Sequence, residues 1–378
     1  ELVVFAANTS PDEGCEATVR LDGVGRLERW DPETGDRATV ATRVDDGATV
    51  ADIAFPPYGS LLLRFDPSAP ETATGASLGR PDRSPLPAVE LSDADWSMQR
   101  HDPNGLVLDR CELVLDGQAL GETSVERGWV HPHDLDDPAA HVPFEARYSF
   151  AVDPAVAGTE MSVVVESGLE VSVAVNGTPL EGDGERWRDP HWRRYDVTDL
   201  VEAGDNEVTV AGTRSHTVGV EPVFVLGAFA VEDRDGDHTL CPEGDVKTVT
   251  DVTEAGYPFY TGEITFETSV DLDAPLEGVL AFEEVHASLA RVRVDGGDWS
   301  ETYWPPWEVP IALDPGTHRL SVRLTTSLRN LTGPHHASET EPEVVSPFTF
   351  RGSDEDGWYE GYRVVPVGFE NARLYRTA

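Results

Sequence analysis

The stretch that decides the fold is Val173-Ala174-Val175-Asn176-Gly177, followed by the loop Trp187-Arg188-Asp189-Pro190-His191-Trp192. Alternating apolar residues are typical of a half-buried β-strand, and Asn-Gly supplies the positive φ of a tight hairpin turn. The chain continues through Tyr195-Asp196-Val197-Thr198-Asp199-Leu200 and a glycine turn at 203–206 into a valine-rich strand at 207–210. This order predicts strands of a β-sandwich, joined by an aromatic loop that crosses the sheet edge.

The same order occurs a second time, about 120 residues later. Val292-Arg293-Val294-Asp295-Gly296 is again an alternating strand with a hairpin turn, and the loop 299–307 ends in Trp304-Pro305-Pro306-Trp307. A further strand, a turn at Asp314-Pro315-Gly316-Thr317 and an alternating run at 319–324 complete the second copy. An internal repeat of this kind predicts two related sandwich domains, which we place at 91–232 and 233–378.

The remaining segments extend the all-β pattern. Residues 1–66 contain six short apolar runs separated by Gly, Asp and Pro turns, which predict a small antiparallel sandwich. Residues 67–90 are rich in Pro, Ser, Thr, Ala and Gly, a composition typical of a linker. Since no long segment has helical periodicity, the predicted fold class is all-β, with tandem antiparallel β-sandwiches.

Charge is the strongest global signal. Asp and Glu number 70 against 28 Lys and Arg, which gives a net charge of -42, and the acidic residues are spread along the whole chain. Phosphate contacts require basic patches, so nucleic acid is excluded as a partner. Self-repulsion of this size is tolerable when salt screens it, which indicates adaptation to molar salt. Such adaptation fits an extracellular or a cytoplasmic location in a high-salt organism; the alternative is an acidic surface that meets a basic partner.

Other local signals are weak. Cys15, Cys111 and Cys241 are odd in number and far apart, which argues against a disulfide framework or a zinc site. No apolar run approaches the length of a membrane span, so we predict no contact with a membrane. The chain opens at Glu1 and enters an apolar run directly, from which we expect a fragment or a processed form.

The repeat order resembles the galactose-binding-like jelly rolls attached to glycoside hydrolases, including the sugar-binding domain of family 2 enzymes. Four further phrases resemble family 106 α-L-rhamnosidases, and the opening residues resemble the sandwich that follows the barrel in such enzymes. The phrases are Pro103-Asn104-Gly105-Leu106-Val107-Leu108-Asp109, Glu221-Pro222-Val223-Phe224-Val225-Leu226-Gly227, Gly256-Tyr257-Pro258-Phe259-Tyr260-Thr261-Gly262 and Ser327-Leu328-Arg329-Asn330-Leu331-Thr332-Gly333-Pro334-His335-His336.

The resemblance implies that two of the sandwiches are galactose-binding-like jelly rolls and that the parent protein is a glycoside hydrolase. In such enzymes the catalytic carboxylates lie in an α/β barrel, and this chain shows no alternating strand and helix units. We therefore expect a missing catalytic barrel of the same polypeptide as a partner and assign no catalytic residue. No cofactor is expected, although the resemblance allows a structural calcium ion.

Aromatic loops are the candidates for contact with carbohydrate. Indole rings stack on the C–H faces of sugars, and neighbouring polar groups orient the hydroxyls. The sugar-binding candidates in the two loops are Trp187, Asp189, His191, Trp192, Trp299, Trp304 and Trp307. The alternative is that these tryptophans close the end of a sandwich or pack on a neighbouring domain.

Asn330, His335 and His336 are further candidates, because Gly333-Pro334 before two histidines predicts a tight exposed turn that lines a substrate cleft. The alternative is a loop held by Asn330. No third ligand stands at a recognisable spacing from the histidines, so no metal site is predicted.

Three functions stay open from the sequence. The first is an accessory section of a glycoside hydrolase, structural and carbohydrate-binding. The second is a free-standing carbohydrate-binding or cell-surface adhesion protein. The third is a complete glycosidase with a site between sandwiches, and turnover by the chain alone would favour it.

Overall fold

The computed structural model describes residues 1–10, 13–32, 35–70, 86–92, 94–125, 141–166, 170–215, 218–234, 237–333, 335–337 and 358–377. Strands dominate these residues, and nearly all strand pairs are antiparallel. The prediction of an all-β fold of packed antiparallel sheets is confirmed. Most of the predicted linker, at 71–85, lies outside the described residues.

The first unit, which we call the N-terminal sandwich, comprises the strands up to residue 66. One sheet has the order β1-β7-β3-β4 and the other β2-β6-β5, with a core of Leu27, Leu63 and their neighbours between them. One of the six apolar runs of the sequence, at 38–44, forms two short strands, β4 and β5, and the buried Val40 lies between them. The strands are β1 Leu2–Ala7, β2 Cys15–Asp22, β3 Arg26–Trp30, β4 Arg37–Thr39, β5 Arg43–Asp45, β6 Ala48–Phe55 and β7 Ser60–Asp66.

The second unit, which we call the inner sandwich, has a core of valines and aromatic residues. One sheet runs β10-β20-β14-β18-β17 and the other β12-β11-β13-β19-β15-β16, with β22 paired to β13 and β21. Its strands are β10 Asn104–Leu108, β11 Arg110–Leu115, β12 Gln118–Ser124, β13 Val142–Val152, β14 Met161–Glu166, β15 Val171–Val175, β16 Thr178–Pro179, β17 Glu185–Trp187, β18 Asp189–Asp196, β19 Gly204–Arg214, β20 Val223–Gly227, β21 Ala230–Arg234 and β22 Asp237–Cys241.

The third unit, which we call the outer sandwich, packs its own core between two sheets, β27-β26-β29-β23-β9 and β28-β24-β33-β8. Its strands are β8 Val89–Glu90, β9 Ser97–Arg100, β23 Glu263–Leu272, β24 Leu276–Ala281, β25 Glu284–His286, β26 Leu289–Val294, β27 Ser300–Thr302, β28 Glu308–Leu313, β29 Gly316–Thr325, β30 His335–Ala337, β31 Trp358–Arg363, β32 Gly368–Glu370 and β33 Arg373–Arg376. A 3₁₀ turn, Thr253–Ala255, and the short helix α1, Arg329–Thr332, interrupt the strands. No helix in the described part of the chain has the length and apolar character of a membrane span.

The internal repeat corresponds to one strand order used twice. In the inner sandwich β11, β13, β19 and β15 are consecutive neighbours, and β9, β23, β29 and β26 are their counterparts in the outer sandwich. The facing sheets match as well, β10-β20-β14-β18 against β8-β33-β24-β28. The two hairpin dipeptides, Asn176-Gly177 and Asp295-Gly296, both have the positive φ expected of them, 50° and 77° in the first and 49° and 74° in the second.

Pairing across the sandwiches shows that the inner one is nested within the outer one. β8 pairs with β33, and β9 pairs with β23, although both strands precede the inner sandwich in the chain. Leu91, β9 and His101, which the sequence places in the domain 91–232, therefore hydrogen-bond to the outer sandwich. The segment 237–241, which the sequence places in the domain 233–378, pairs with β13 and β21 of the inner sandwich.

Three of the four segments that resemble rhamnosidase phrases meet at the joint between these sandwiches. Phe259 and Leu331 belong to the core of the inner sandwich although they lie within the chain of the outer one. Gly105 permits this approach, because a Cβ there would lie 2.6 Å from Cδ1 of Leu331. The hydroxyl of Tyr362 donates to the buried carboxylate of Asp109 at 2.5 Å. The joint is therefore continuous with a hydrophobic core, which argues for a fixed arrangement of the two sandwiches.

Candidate functional site

The first aromatic loop packs on the inner sandwich. The rings of Trp187 and Trp192 stack with centroids 5.7 Å apart, and Trp192 lies against Phe224 at 5.3 Å. Nε1 of Trp192 donates to Glu166 at 3.3 Å. Both tryptophans are partly buried against the core, so this pair serves packing at least in part.

Arg188 connects this loop to the joint. Its backbone has a φ of 53°, and its guanidinium lies 3.6 Å from the carboxylate of Asp102 and 3.4 Å from the carbonyl of Thr261. Asp189 accepts a hydrogen bond from the backbone N–H of His191 at 2.8 Å, which fixes the turn. The loop therefore fits the packing alternative that the sequence left open, with Asp189 and His191 on its exposed side.

The ring of Trp299, in the second loop, contacts two arginine side chains. The guanidinium carbons of Arg293 and Arg323 lie 4.4 Å and 4.7 Å from the centroid of its ring. Contacts of this kind between a guanidinium and an indole are favourable by themselves. A sugar at this ring would compete with them, so Trp299 is a weaker candidate than its neighbours.

Trp304 is the exposed member of the second loop. Its side chain is 54% exposed and lies against Tyr303, which is 38% exposed, with ring centroids 5.5 Å apart. The hydroxyl of Tyr303 donates to Glu301, which also accepts from Nε of Arg291 at 2.8 Å. Both hydrogen bonds lower the pKa of Glu301 below its ordinary value, and the bond from Tyr303 has the larger effect. The two rings therefore form a supported platform, which we call the aromatic platform, that faces solvent.

Trp307 lies three residues further on and is buried, at 9% exposed. Its indole N–H has no hydrogen-bond partner among the described residues. Together with Pro305 and Pro306 it lines a cleft of about 790 Å³ between the outer sandwich and the turn at Pro56, Pro57 and Tyr58 of the N-terminal sandwich. We call this space the Trp307 cleft.

Polar groups of the Trp307 cleft are held in a network. Nδ2 of Asn371 donates to Glu283 at 2.7 Å, and Arg373 contacts Glu283 at 3.5 Å and Glu90 at 2.9 Å. The hydrogen bond to Glu90 is the main cause that raises the pKa of Arg373. Glu284 and Tyr375 also line the cleft. Aromatic walls with a few fixed polar groups are the usual composition of a small-molecule site.

Asn330 has a structural task. Its side chain is 2% exposed, Nδ2 donates to the carbonyl of Val365 at 2.8 Å, and Oδ1 accepts from the N–H of the same residue at 2.8 Å. A smaller cavity of about 290 Å³ beside it is also lined by Tyr260, His286 and Ser288. Both the nitrogen and the oxygen of the Asn330 amide make hydrogen bonds to Val365. This geometry favours the alternative in which Asn330 holds the loop in place.

His335 and His336 belong to a strand, whereas the turn predicted just before them includes Pro334, which lies outside the described residues. They lie in β30, which pairs with β31 through His335 and Arg363. The partner strand is distant in sequence, so the local Gly-Pro signal could not indicate it. Their side chains are outside the described residues. Among those residues no group of three or more His, Cys, Asp or Glu side chains is placed to hold a metal ion.

Sequence reasoning missed Tyr58, Tyr303, Glu283 and Arg373. One signal was available for Tyr58, because Pro56-Pro57-Tyr58-Gly59 is a turn sequence with an aromatic residue at its third position. The other three are ordinary strand or loop residues, and only the pairing of β24 with β33 and the course of the 303–307 loop bring them near the cleft.

Comparison with known proteins gives partial structural likenesses. No family model and no curated protein matches. A rhamnosidase from Novosphingobium sp. PP1Y is 16% identical over 56% of this chain and 18% of its own, with a TM-score of 0.22. A glycosyl hydrolase family 2 member from Bacteroides cellulosilyticus DSM 14838 is 12% identical over 63% and 31%, with a TM-score of 0.24. A β-glucuronidase from Ruminococcus gnavus is 11% identical over 62% and 45%, with a TM-score of 0.28.

These solved structures are glycoside hydrolases, and this chain spans less than half the length of each of the three. Identities of 16% or less and TM-scores of 0.28 or less assign neither a family nor an activity.

Proposed function

We propose that this chain is an accessory β-sandwich section of a glycoside hydrolase that contacts carbohydrate through the aromatic platform of Tyr303 and Trp304. The observation that carries the proposal is an exposed aromatic pair whose Tyr303 is held by a hydrogen bond to Glu301. An exposed aromatic ring forgoes the stabilisation that burial of its apolar surface would give. Because Glu301 and Arg291 hold Tyr303 in place, the pair needs no rearrangement to stack on a sugar. The motif order of the two sandwiches, which resembles galactose-binding-like jelly rolls, is consistent with this role.

The proposal includes a high-salt environment. A net charge of -42 on a folded chain of 378 residues favours conditions in which salt screens repulsion between carboxylates. Binding through stacked rings suits such conditions, because apolar and C–H contacts do not weaken when charges are screened.

Replacing Trp304 tests the proposal. We expect Trp304→Ala to weaken binding of neutral oligosaccharides by about tenfold or more, which corresponds to about 1.4 kcal/mol. Titration calorimetry in molar KCl measures this. Phe5→Ala is the matched control, because Phe5 is a 70% exposed aromatic residue on β1 of the N-terminal sandwich, whereas the platform belongs to the outer sandwich. Equal affinities of the wild type and Trp304→Ala would contradict the proposal.

A further inference from the structure

We infer that the ligand of the aromatic platform continues into the Trp307 cleft and is an uncharged oligosaccharide, held there between Trp307 and Tyr58 of the N-terminal sandwich. The inference rests on the proposed function and extends it to a second wall. Tyr58 is 59% exposed and lines the cleft, while Pro305 and Pro306, which follow Trp304 directly, line the same space.

The backbone of Tyr58 has an unusual conformation for a bulky residue. Gly59 N–H donates to the carbonyl of Pro56 at 3.0 Å, Pro57 occupies the second position, and Tyr58 at the third has a φ of 51°. This is the pattern of a type II turn, whose third position favours glycine or asparagine. A bulky side chain with positive φ is an outlier that the surrounding structure must enforce, and such residues concentrate at binding sites.

The turn is also fixed in place. The N–H of Tyr58 donates to the carbonyl of Ser10 at 3.0 Å, and Nδ2 of Asn8 donates to the carbonyl of Pro56 at 3.0 Å. A Cβ at Gly59 would lie 2.5 Å from Cδ of Pro56, so glycine is required at position 59. A fixed turn therefore places the ring of Tyr58 in the wall of the cleft. Tyr58 does not belong to the hydrophobic core of the N-terminal sandwich.

The indole of Trp307 lines the cleft on the side of the outer sandwich. The side chain of Trp307 supplies an apolar part of the cleft wall, and its N–H is buried without a hydrogen-bond partner among the described residues. On the same wall, the amide of Asn371 and the guanidinium of Arg373 provide donors, and Glu283 and Glu284 provide acceptors for ligand hydroxyls.

The charged side chains that line the cleft favour an uncharged ligand over an anionic one. The cleft carries two carboxylates against one guanidinium, and Arg373 already contacts both Glu90 and Glu283. A uronate or sulfate group would meet carboxylates on a surface that is strongly acidic overall. The cleft volume of about 790 Å³ lies within the range of about 300–1,000 Å³ for small-molecule sites and admits more than one sugar ring.

Tyr58→Gly tests the inference without endangering the fold, because glycine adopts the required φ freely. The full chain in molar KCl is titrated with cellotriose, mannotriose and xylotriose, and with trigalacturonate as the anionic probe. We expect Tyr58→Gly to weaken binding of the best neutral trisaccharide by about fivefold or more and Tyr58→Phe, which keeps the ring, to retain it. The melting temperature of Tyr58→Gly should not fall.

The outcomes separate the two proposals. If the wild type binds and Trp304→Ala weakens binding while Tyr58→Gly does not, the inference about the cleft is overturned and the platform stands. Preference for trigalacturonate over the neutral trisaccharides overturns the assignment of an uncharged ligand. If the wild type binds none of the probes, the proposed function fails and the cleft proposal fails with it.

Discussion

At the scale of single residues, exposed and buried aromatic groups of one loop have different tasks. Trp304 faces solvent and packs on Tyr303, which hydrogen-bonds to Glu301. Trp307 is buried, and its N–H has no partner among the described residues. The spacing in the sequence identifies both as candidates. It cannot separate them, because burial depends on β24, β33 and the turn at Tyr58, which are distant in sequence.

His318 gives the fold a pH-dependent contact in the hairpin at Asp295. Nδ1 lies 2.7 Å from the carboxylate of Asp295, and Nε2 lies 2.7 Å from the carbonyl of Asp314. Both ring nitrogens face acceptors, and only the imidazolium can donate to both. The bond to Asp295 is the main cause that raises the pKa of His318, and Asp295 has its own pKa lowered, first by the N–H of Arg319 and then by His318.

We therefore expect a pH-dependent difference in melting temperature between the wild type and His318→Gln. The stabilisation by His318 is complete below the unfolded pKa of about 6.5 and is lost as the pH rises through the raised folded pKa. Asp295 contributes above its unfolded pKa of about 3.9 and loses its share as the pH falls through the lowered one. The difference should be largest between about pH 4 and 6.5 and shrink towards pH 9. A difference that is constant from pH 5 to 9 would refute the contact.

At the scale of elements, the joint between the inner and outer sandwiches depends on single side chains that bind a returning segment. Asn330 in α1 holds Val365 by two hydrogen bonds, and Gly105 in β10 leaves room for Leu331. The phrases around these residues were the basis of the resemblance to rhamnosidases. Their structural role explains why they are unusual in sequence without requiring contact with a substrate.

Asn330→Asp should destabilise the chain by about 1–3 kcal/mol. The carboxylate keeps the acceptor for the N–H of Val365 but places a second oxygen against its carbonyl, at a side chain that is 2% exposed. Urea unfolding in molar KCl gives the free energy of unfolding. Ser288→Ala, an exposed position in the same small cavity, is the control and should change stability by less than about 0.5 kcal/mol. Equal effects of the two substitutions would argue against the clamp.

Elements also show what could be predicted from sequence. The paired strands and the hairpins at Asn176-Gly177 and Asp295-Gly296 were predictable, because alternation and positive-φ dipeptides are local signals. The nesting of the inner sandwich was not, since β9 pairs with β23 across more than 160 residues and neither strand carries a signal for its partner. The strand at His335 was missed for the same reason.

At the scale of the whole molecule, charge and domain arrangement act together. The Trp307 cleft depends on the contact of the outer sandwich with the N-terminal one, and both sandwiches belong to a chain with a net charge of -42. Repulsion of this size acts over a Debye length, which is about 10 Å at 0.1 M salt and about 3 Å at 1 M. Salt is therefore expected to favour the compact arrangement that forms the cleft.

The melting temperature should rise with KCl, and most of the rise should occur below about 1 M, where screening changes most. Sucrose at equal osmolality is the control, because it stabilises by exclusion from the surface without screening charge. A melting temperature that is unchanged between 0.1 M and 1 M KCl, or that rises equally in sucrose, would contradict adaptation by screening.

The most direct test of the central claim is the melting temperature of the unmodified chain in molar KCl with and without neutral oligosaccharides. Selective binding to the folded state raises the melting temperature by mass action, by an amount that grows with ligand concentration. The account predicts a concentration-dependent rise with at least one neutral trisaccharide and no hydrolysis of aryl glycosides, α-L-rhamnoside included. A melting temperature unchanged by every sugar would contradict carbohydrate binding, and turnover by this chain would contradict the accessory role.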